Sequence, residues 1–320
     1  MALENLTATG NARKKTMMTR RSTAFALLAL LCFGALYAAV FAAGIKKSES
    51  AETSLLNVRE LYAQTADTYA VTGSDVFKTP SRIFSYERLA QMSDGRLLLI
   101  NGNNAAPDVV PGELVNIADY VWTLDKNLTG NIEAATMLKR LFDSAADAGY
   151  GKFRATDFDR SHELQRDLYD NAADKSFVSP PGHSEHQIGL AADISYDGVN
   201  IGNSEQGAWI AKNAHRFGFV LRYPPNKTEI TGIPFEPWHF RYVGLPHARI
   251  MYENDLVLEE YIDYLKQNEE KAFLFDGVRY AVSYLSDCGA SIVIPADHIF
   301  SASLDNTGGI IVTAWIGAVE

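Results

Sequence analysis

Two short segments of the chain carry histidines and carboxylates in a pattern that suits a hydrolytic metal site. Residues 184–193 read SEHQIGLAAD, and a second segment, EPWH, ends at His239. A catalytic zinc takes three protein ligands and keeps a fourth position open for water, and a carboxylate that does not bind the metal accepts the proton of that water. We predict that His186, Asp193 and His239 are the ligands and that Glu236 is the general base.

The spacing of the first two ligands argues against a site built on one helix. On a helix, His186 and Asp193 would lie two turns apart, roughly 10 Å along the axis, which is too far for one ion. Gly189 allows the chain to turn after His186, and the small apolar residues that follow predict a buried strand over 190–194 that carries Asp193. A helical HExxH site is therefore excluded.

The segment around the third ligand is also typical of a strand. Pro237 disfavours a helix interior, and the aromatic and β-branched residues of 238–243 favour a strand. His239 and Arg241 would then share one face of that strand, with Glu236 at its mouth.

Three further histidines lie in segments that suit an ordinary helix, loop or core. A single histidine in an apolar stretch is more often a hydrogen-bonded core residue than a metal ligand. His183 is the nearest competitor to His186, but neither its spacing to Asp193 nor a neighbouring carboxylate favours it, and the same holds for His215 and His247. We interpret these three as structural residues or as supports for the ligands.

The two segments resemble those of a known enzyme family. SEHQIGLAAD matches the pattern SxHxxGxAxD, and EPWHFRYVG matches the ExWH segment, of D-alanyl-D-alanine carboxypeptidases of the VanY type, whose wider superfamily includes lysostaphin and hedgehog domains. The similarity extends to SPPGHSEHQ and to HRFGFVLRYPPNKTEITGI and covers most of residues 85–250. The resemblance implies zinc ligands at His186, Asp193 and His239 and a general base at Glu236.

A third segment resembles the family's YRSYxxQ stretch. The resemblance implies that Arg160 and Gln165 contact the substrate and that Arg160 helps to polarise the scissile carbonyl. It also implies a hydrogen bond from Ser184 to the substrate. The match is imperfect, because residues 157–159 read DFD where the family tends to have Ser, Gly and Tyr, and His162 replaces the second Tyr.

These assignments have simpler alternatives. Arg160 could be a surface residue paired with Asp157 or Asp159 at the start of a helix. The functional interpretation of Arg160 is nevertheless physically reasonable, because a fixed guanidinium can bind a peptide carboxylate or a developing oxyanion. Ser184 could be a turn or cap residue.

The resemblance implies a zinc metallocarboxypeptidase, with one Zn²⁺ per chain, that removes the terminal D-Ala of peptidoglycan stem peptides. Two alternatives stay open: an LD-carboxypeptidase acting on tetrapeptide stems, and a non-catalytic zinc-containing module that binds the cell wall. Retention of Glu236 argues against the latter, because a structural zinc needs no base. The chain has no SxxK with its partner motifs and no GxSxG, so a serine acyl-enzyme is not expected.

The N-terminal region predicts a single-pass membrane anchor. Residues 23–45 carry no charge and are long enough to cross a bilayer core of about 30 Å. The basic residues before them predict a cytoplasmic tail over 1–21, an anchor over 22–45 and an extracytoplasmic catalytic domain at the bacterial membrane. A cleaved signal peptide is the alternative, although its apolar core is usually about 7–15 residues.

Composition excludes other classes. The net charge is −10 while the N-terminal tail is basic, so the remainder is more acidic still and no nucleic-acid partner is expected. The chain has two cysteines, Cys32 within the predicted anchor and Cys288 near the C-terminus, which argues against an intrachain disulfide, thiol catalysis or a cysteine-bound zinc.

The patterns after the anchor predict three segments: a linker over 46–80, an α+β peptidase domain over 81–265 with a central antiparallel sheet flanked by helices, and a small β appendage over 266–320. Within them we predict helices over 132–148, 162–172 and 209–217, strands over 97–100, 219–223, 272–285 and 291–294, and a strand pair with turn residues between its arms over 303–317. The appendage could bind wall polymer, act as a lid or mediate dimerisation, and packing against the peptidase domain is favoured because about fifty residues make a small core.

Overall fold

The structure is a computed structural model that describes residues 81–108, 112–202, 204–286, 288–296 and 298–318. The predicted tail, anchor and linker lie outside the described residues. Within the described ranges, none of the helices has the length and apolar character that crossing a membrane requires. The chain divides into two units by its backbone contacts. One unit includes the described residues up to Phe275 and Arg279–Gly317 and holds every residue of the candidate site; the other includes Asp276–Val278.

The helices among the described residues begin at polar caps where the sequence provides them. They are α1 (Tyr86–Gln91), α2 (Ile132–Asp147), α3 (His162–Asn171), α4 (Glu205–Asn213), α5 (Thr228–Thr231), α6 (His247–Glu253) and α7 (Leu258–Gln267). The Asn131 side chain caps α2 by accepting from the backbone N–H of Glu133 and Ala134, and Ser161 caps α3 by accepting from Leu164 N. The predicted helices over 132–148 and 162–172 are thereby confirmed, whereas α4 starts earlier than predicted, after its cap Ser204.

The strands fall into separate sheets. They are β1 (Ser81–Ser85), β2 (Leu114–Asn116), β3 (Thr129–Asn131), β4 (Phe153–Asp157), β5 (Ala191–Tyr196), β6 (Val199–Asn200), β7 (Phe219–Leu221), β8 (His239–Tyr242), β9 (Glu270–Phe275), β10 (Val278–Leu285), β11 (Ser291–Pro295), β12 (Ile299–Leu304) and β13 (Ile310–Ala318). The sheet that concerns the site has the order β4-β5-β8-β7, with β6 beside β5. Its neighbours pair antiparallel, which confirms the central antiparallel sheet.

The main hydrophobic core lies between α2 and this sheet. On α2, the buried residues Ala134, Leu138, Leu141 and Ala145 recur at helical spacing and share one cluster with sheet residues such as Ile194. A fully buried leucine contributes roughly 1.5–3 kcal/mol. Because buried residues of α2 and of the sheet belong to one cluster, this core supports the strands that carry the predicted ligands.

The predicted strand over 97–100 is wrong. These four residues are buried, at 6% exposure or less, but form no strand. Their backbone groups find partners elsewhere: Leu97 N donates to Ser303 Oγ and Leu99 N to Asp305 O. A buried apolar run needs satisfied hydrogen bonds rather than a sheet, so irregular backbone is stable here. The predicted strand over 219–223 also ends earlier, at Leu221.

The C-terminal strands form a sheet of order β12-β13-β10-β9, and the predicted strand pair within 303–317 is confirmed. Strand β1 pairs with β11, and Leu89 of α1 shares a hydrophobic cluster with Ile294, Ala302 and Ile310. Residues assigned to the peptidase domain therefore pack among the strands of the appendage. The boundary at residue 265 stays a prediction.

Candidate active site

Strands β5 and β8 place two of the predicted ligands opposite each other. The register pairs Asp193 with His239, and Asp193 Oδ1 lies 3.3 Å from His239 Nδ1. Side chains paired directly across antiparallel strands have Cβ atoms about 4.5–5.5 Å apart, so both can reach one ion. Both residues lie in the segments predicted to be strands, 190–194 and 238–243, whereas the register between the two strands is given by the structure.

His186 reaches the same point from a short 3₁₀ turn, Glu185–Ile188, that leads into β5. Gly189 ends this turn with φ 63°, a left-handed conformation that favours glycine. The chain thus turns after His186, as the sequence predicts. His186 Nδ1 lies 2.7 Å from the carbonyl oxygen of Phe158, which can only accept, so Nδ1 donates. Nε2 lies 3.4 Å from Asp193 Oδ1, and in the neutral ring this nitrogen is the one free to bind a cation.

The three side chains fit a metal ion. His186, Asp193 and His239 each offer one ligand atom, and these atoms lie within 4.8 Å of one another. Asp193 Oδ1 is buried and accepts no hydrogen bond of good geometry, which is costly unless a cation satisfies it. Two imidazoles and a carboxylate are a donor set of hydrolytic zinc sites, although other divalent first-row ions accept it too.

The pKa values of His239 and Asp193 are shifted by burial and by the charged groups around them. Burial alone would lower the pKa of His239, but the neighbouring carboxylates of Asp193 and Glu185 outweigh it and raise the pKa to about 9. Burial opposes ionisation of Asp193, yet His186 and His239 hold the pKa of this carboxyl well below its usual range. Metal binding requires neutral imidazoles, so a cation that binds here displaces a proton from His239.

Glu236 lies beside the three ligands without belonging to them. Its Oε2 is 3.7 Å from His239 Nδ1, and the residue is 5% exposed. Burial raises the pKa of Glu236 to about 7, with Asp193 acting in the same direction and His239 and Arg160 against it. A carboxyl that titrates near neutrality can both take up and release a proton during turnover, although a nearby cation would lower its pKa again.

Arg160 and Gln165 meet in the structure. Arg160 Nη1 donates to Gln165 Oε1 at 2.6 Å, and Gln165 is fully buried, with its Nε2 donating to Ser179 O. The guanidinium also pairs with Asp157 through Nε and Nη2. The simpler alternative, pairing with Asp157, is thus observed, but on a largely buried arginine that lines the same cavity as the ligands.

That cavity has a volume of about 550 Å³. Its polar lining includes Arg160, Ser184 and Glu236 together with the three ligands. Ser184 is 4% exposed and its backbone N–H donates to Gln187 Oε1 at 3.4 Å, so the residue combines a turn position with access to the cavity. Apolar side chains, among them Ile233 and Trp238, form other parts of the lining.

The other three predicted histidines make structural contacts. His183 Nδ1 lies 2.7 Å from Asn101 O. His215 stacks on Tyr252, with ring centroids 3.8 Å apart. His247 is buried between Tyr261 OH and Thr313 Oγ1, each 2.8 Å from a ring nitrogen.

Sequence reasoning missed a buried ion cluster behind His239. Glu185 Oε2 lies 3.3 Å from His239 Nε2, while Oε1 contacts Arg222 Nε at 2.8 Å and Arg241 Nη1 at 2.9 Å. Burial opposes ionisation of Glu185, but the two arginines hold its pKa well below its usual range. Glu259 pairs with Arg222 through both oxygens. The sequence did contain a signal for this cluster: Arg222 and Arg241 lie inside the apolar strand segments FVLRY and HFRYVG.

Comparison with known proteins identifies the family. Residues 128–245 match the family described as VanY, D-alanyl-D-alanine carboxypeptidase. A D-alanyl-D-alanine carboxypeptidase of Enterococcus faecium is 35% identical over 238 residues, which cover 72% of this chain and 78% of that protein. The chain belongs to the VanY family. It is accordingly an enzyme, a carboxypeptidase of the D-alanyl-D-alanine type.

Two further proteins are also similar to this VanY-family chain. A D-alanyl-D-alanine carboxypeptidase of Enterococcus faecalis (strain ATCC 700802 / V583) is 33% identical over 217 residues, covering 61% of this chain and 77% of that protein. Among solved structures, the vancomycin resistance D,D-dipeptidase VanXYg, in complex with a D-Ala-D-Ala phosphinate analog, superposes with a TM-score of 0.64 at 29% identity. The superposition covers 75% of this chain and 100% of that one.

Proposed function

We propose that this carboxypeptidase is zinc-dependent and hydrolyses the terminal D-Ala from peptidoglycan stem peptides. The observation that carries the proposal is the convergence of His186, Asp193 and His239 on one point, with Glu236 beside them in a cavity. The D-Ala-D-Ala phosphinate analog bound by the structural relative supports this substrate class.

The three ligands would hold the ion through His186 Nε2, Asp193 Oδ1 and His239 Nδ1, the atoms that face one another. Bound zinc would supply a Lewis acid and would lower the pKa of water. The antiparallel pairing of β5 and β8 fixes two of these side chains before any ligand arrives. Pre-organisation of this kind avoids the cost of ordering the site during turnover.

Glu236 acts as the general base and then as the general acid. Its carboxylate takes the proton of the attacking water, and the protonated form returns it to the departing amine of D-Ala. Burial raises the pKa of the Glu236 carboxyl, which opposes the lowering that a bound cation would cause and so favours a group that can both accept and return a proton. No covalent acyl-enzyme is needed in this scheme.

Arg160 provides a fixed positive charge at the cavity wall. Asp157 and Gln165 orient its guanidinium, which can bind the substrate carboxylate or stabilise the oxyanion that develops on the scissile carbonyl. Ser184 lines the same cavity and is placed to hydrogen-bond the peptide.

The test uses the zinc-loaded full-length chain and muropeptides with pentapeptide or tetrapeptide stems, with mass spectrometry reporting D-Ala release. We expect loss from the pentapeptide, and a decrease of about 10²–10⁴-fold in Glu236→Gln with zinc content unchanged. Release from the tetrapeptide alone would move the assignment to an LD-carboxypeptidase, and no release from either despite bound zinc would favour a non-catalytic module.

We propose further that residues 22–45 anchor the enzyme in the bacterial membrane with the catalytic domain outside. The support is the uncharged apolar segment and the basic residues before it. Cell fractionation tests this: we expect the full-length chain in the membrane pellet after carbonate washing, and degradation by protease added to intact protoplasts. Recovery of a shortened chain in the medium would instead indicate a cleaved signal peptide.

A further inference from the structure

Each histidine of the metal site must keep its single proton on the nitrogen that faces away from the ion. A neutral imidazole carries one N–H and one lone pair, and the partner of the N–H decides which nitrogen is which. In His186 the partner is the carbonyl of Phe158, so Nε2 faces Asp193. In His239 the opposite nitrogen, Nδ1, faces Asp193, and its Nε2 therefore needs an acceptor.

We propose that Glu185 is that acceptor and acts as a positioning residue: its carboxylate holds the proton of His239 on Nε2 and leaves Nδ1 free to bind the metal. The Glu185 Oε2 to His239 Nε2 distance is 3.3 Å. The inference rests on the proposed function only in requiring that His186, Asp193 and His239 hold an ion.

The carboxylate is fixed in this role by two arginines. Arg222 Nε and Arg241 Nη1 both contact Oε1, at 2.8 and 2.9 Å, which leaves Oε2 for His239. The side chains of Glu185 and both arginines are completely buried. The orientation of the carboxylate is thus set by groups that have no room to move away.

The charges of the cluster keep Glu185 an acceptor. Arg222 is paired on its other side with Glu259, through bonds of 2.9 and 2.8 Å. The two negative charges of the carboxylates and the two positive charges of the guanidiniums sum to zero. Glu185 can therefore stay ionised, because no excess negative charge in the cluster favours its protonation. Arg241 is anchored further by donating to backbone carbonyls, including Leu98 O at 3.0 Å.

An isosteric amide at position 185 reverses the proton arrangement. In Glu185→Gln the amide oxygen must face the two guanidiniums, since an NH₂ group there would oppose two cations. The NH₂ group then faces His239 Nε2, which has to accept. The proton moves to Nδ1, and that nitrogen can no longer bind the ion.

Glu259→Gln is the matched control. It removes the same charge from the same buried cluster by the same isosteric change, but Glu259 contacts Arg222 rather than His239. A merely structural role of the cluster predicts equal effects of the two substitutions. A positioning role predicts an effect on metal binding that is specific to Glu185→Gln.

The experiment measures the zinc affinity of the full-length chain and both variants by competition with a chromophoric chelator, alongside their thermal unfolding. We expect Glu185→Gln to weaken zinc binding about 10–100-fold and Glu259→Gln to weaken it less than about threefold, at comparable losses in melting temperature. Unchanged affinity in Glu185→Gln, or equal losses in both variants, would overturn the proposal.

A second measurement needs no variant. In the cadmium-loaded wild type with ¹⁵N-labelled histidine, metal–nitrogen couplings should identify Nδ1 of His239 and Nε2 of His186 as the bound nitrogens, and coupling to Nε2 of His239 would contradict the inference. Neither measurement depends on turnover. A wild type that binds zinc but releases no D-Ala would refute the proposed function and leave both comparisons intact.

Discussion

Arg160 shows how a single side chain is prepared for a role in the cavity. Asp157 accepts from its Nε and Nη2, and Gln165 accepts from its Nη1, so the planar guanidinium is held by two neighbours along its length. Its backbone N–H donates to His186 O, which links its position to the first ligand. Lysine could supply the charge but not this set of bonds.

Arg160→Lys should therefore lower kcat/KM for D-Ala-D-Ala-ending peptides by about 10- to 100-fold, because the charge remains but its fixed orientation is lost. Steady-state kinetics on the zinc-loaded enzyme measures this. Arg154→Lys is the control, since Arg154 pairs with Asp197 on the surface and should change activity little. A wild-type kcat/KM in Arg160→Lys would mean that Arg160 serves only to bind Asp157.

At this scale the sequence predicted the three ligands, Arg160, Ser184 and Glu236, which line the cavity, but not what orients them. Gln165, also predicted to contact the substrate, is not among the residues that line the cavity and contacts Arg160 instead. The residue types of His186, Asp193 and His239 identify a ligand set, because two imidazoles and a carboxylate are a donor set of hydrolytic zinc sites. The role of Glu185 depends on Arg222, which lies far away in the chain, and only the tertiary structure brings them together.

Among the elements, the turn between the 3₁₀ helix and β5 has the strictest local requirement. Gly189 has φ 63°, and a Cβ there would lie 2.8 Å from Leu114 Cδ2 and 3.4 Å from Asn131 N. Its carbonyl also accepts from Asn131 N at the cap of α2. One residue thus sets the direction of the chain between His186 and Asp193.

Gly189→Ala should destabilise the fold by about 2 kcal/mol, from the left-handed conformation and from contact with Leu114. Gly232→Ala is the matched control: φ is 75°, and a Cβ meets nothing within 4 Å, so it should cost only about 1 kcal/mol. Urea unfolding of the metal-free proteins gives both values. Equal losses would show that the contact with Leu114 relaxes freely.

Local pattern was sufficient for α2, where the apolar spacing agrees with the cap Asn131, and α3 begins after its cap Ser161 as predicted. Local pattern was insufficient for 97–100, where the apolar run predicts a strand that does not form. Its backbone partners, Ser303 and Asp305, lie about two hundred residues further along the chain. Composition indicates burial of such a segment but not the identity of its hydrogen-bond partners.

In the molecule as a whole, the last strands contact residues from several earlier parts of the chain. His247 of α6 bonds Tyr261 of α7 and Thr313 of β13. Asn306 donates to Leu99 O and Ala105 O. These contacts favour the interpretation of the C-terminal strands as packed against the rest of the described chain, rather than as a separate module.

The buried contact of His247 with Tyr261 and Thr313 should make the stability of the fold depend on pH. Burial, assisted by Arg96, lowers the pKa of His247 to about 3. Its neutral form stabilises the fold fully above the unfolded pKa of about 6.5, and this contribution is lost as the pH falls towards about 3. Between pH 6.5 and 5 the contribution of His247 to the free energy of unfolding should decrease by about 2 kcal/mol, while the raised pKa of Glu236 acts in the opposite direction.

Urea unfolding across this range checks the value, with two variants as references. His247→Gln should remove this contribution, because a side chain that does not titrate removes the proton linkage, so the difference in unfolding free energy between the wild type and the variant should itself change by about 2 kcal/mol. His162→Gln should leave the pH dependence of the wild type unchanged, since His162 is exposed. A wild-type slope that persists in His247→Gln would assign the dependence to other groups.

Deletion of residues 266–320 tests the predicted domain boundary. It removes the partners of Leu97 N and Leu99 N and uncovers Leu89, which is fully buried. We expect a chain that is poorly soluble and lacks a cooperative thermal transition, because buried backbone groups would be left unpaired. A shortened chain that melts like the full-length protein would support an independent peptidase domain ending at residue 265.

The pairing of β1 with β11 also imposes an order of events during synthesis. Ser81–Ser85 emerges from the ribosome about two hundred residues before its partner Ser291–Pro295. Contacts between such distant segments slow folding and leave the edge of the earlier strand unpaired until the later one is made. If the chain is exported, β1 must remain unpaired until β11 has also crossed the membrane. The nascent enzyme would thus depend on being kept from aggregating until β11 is available.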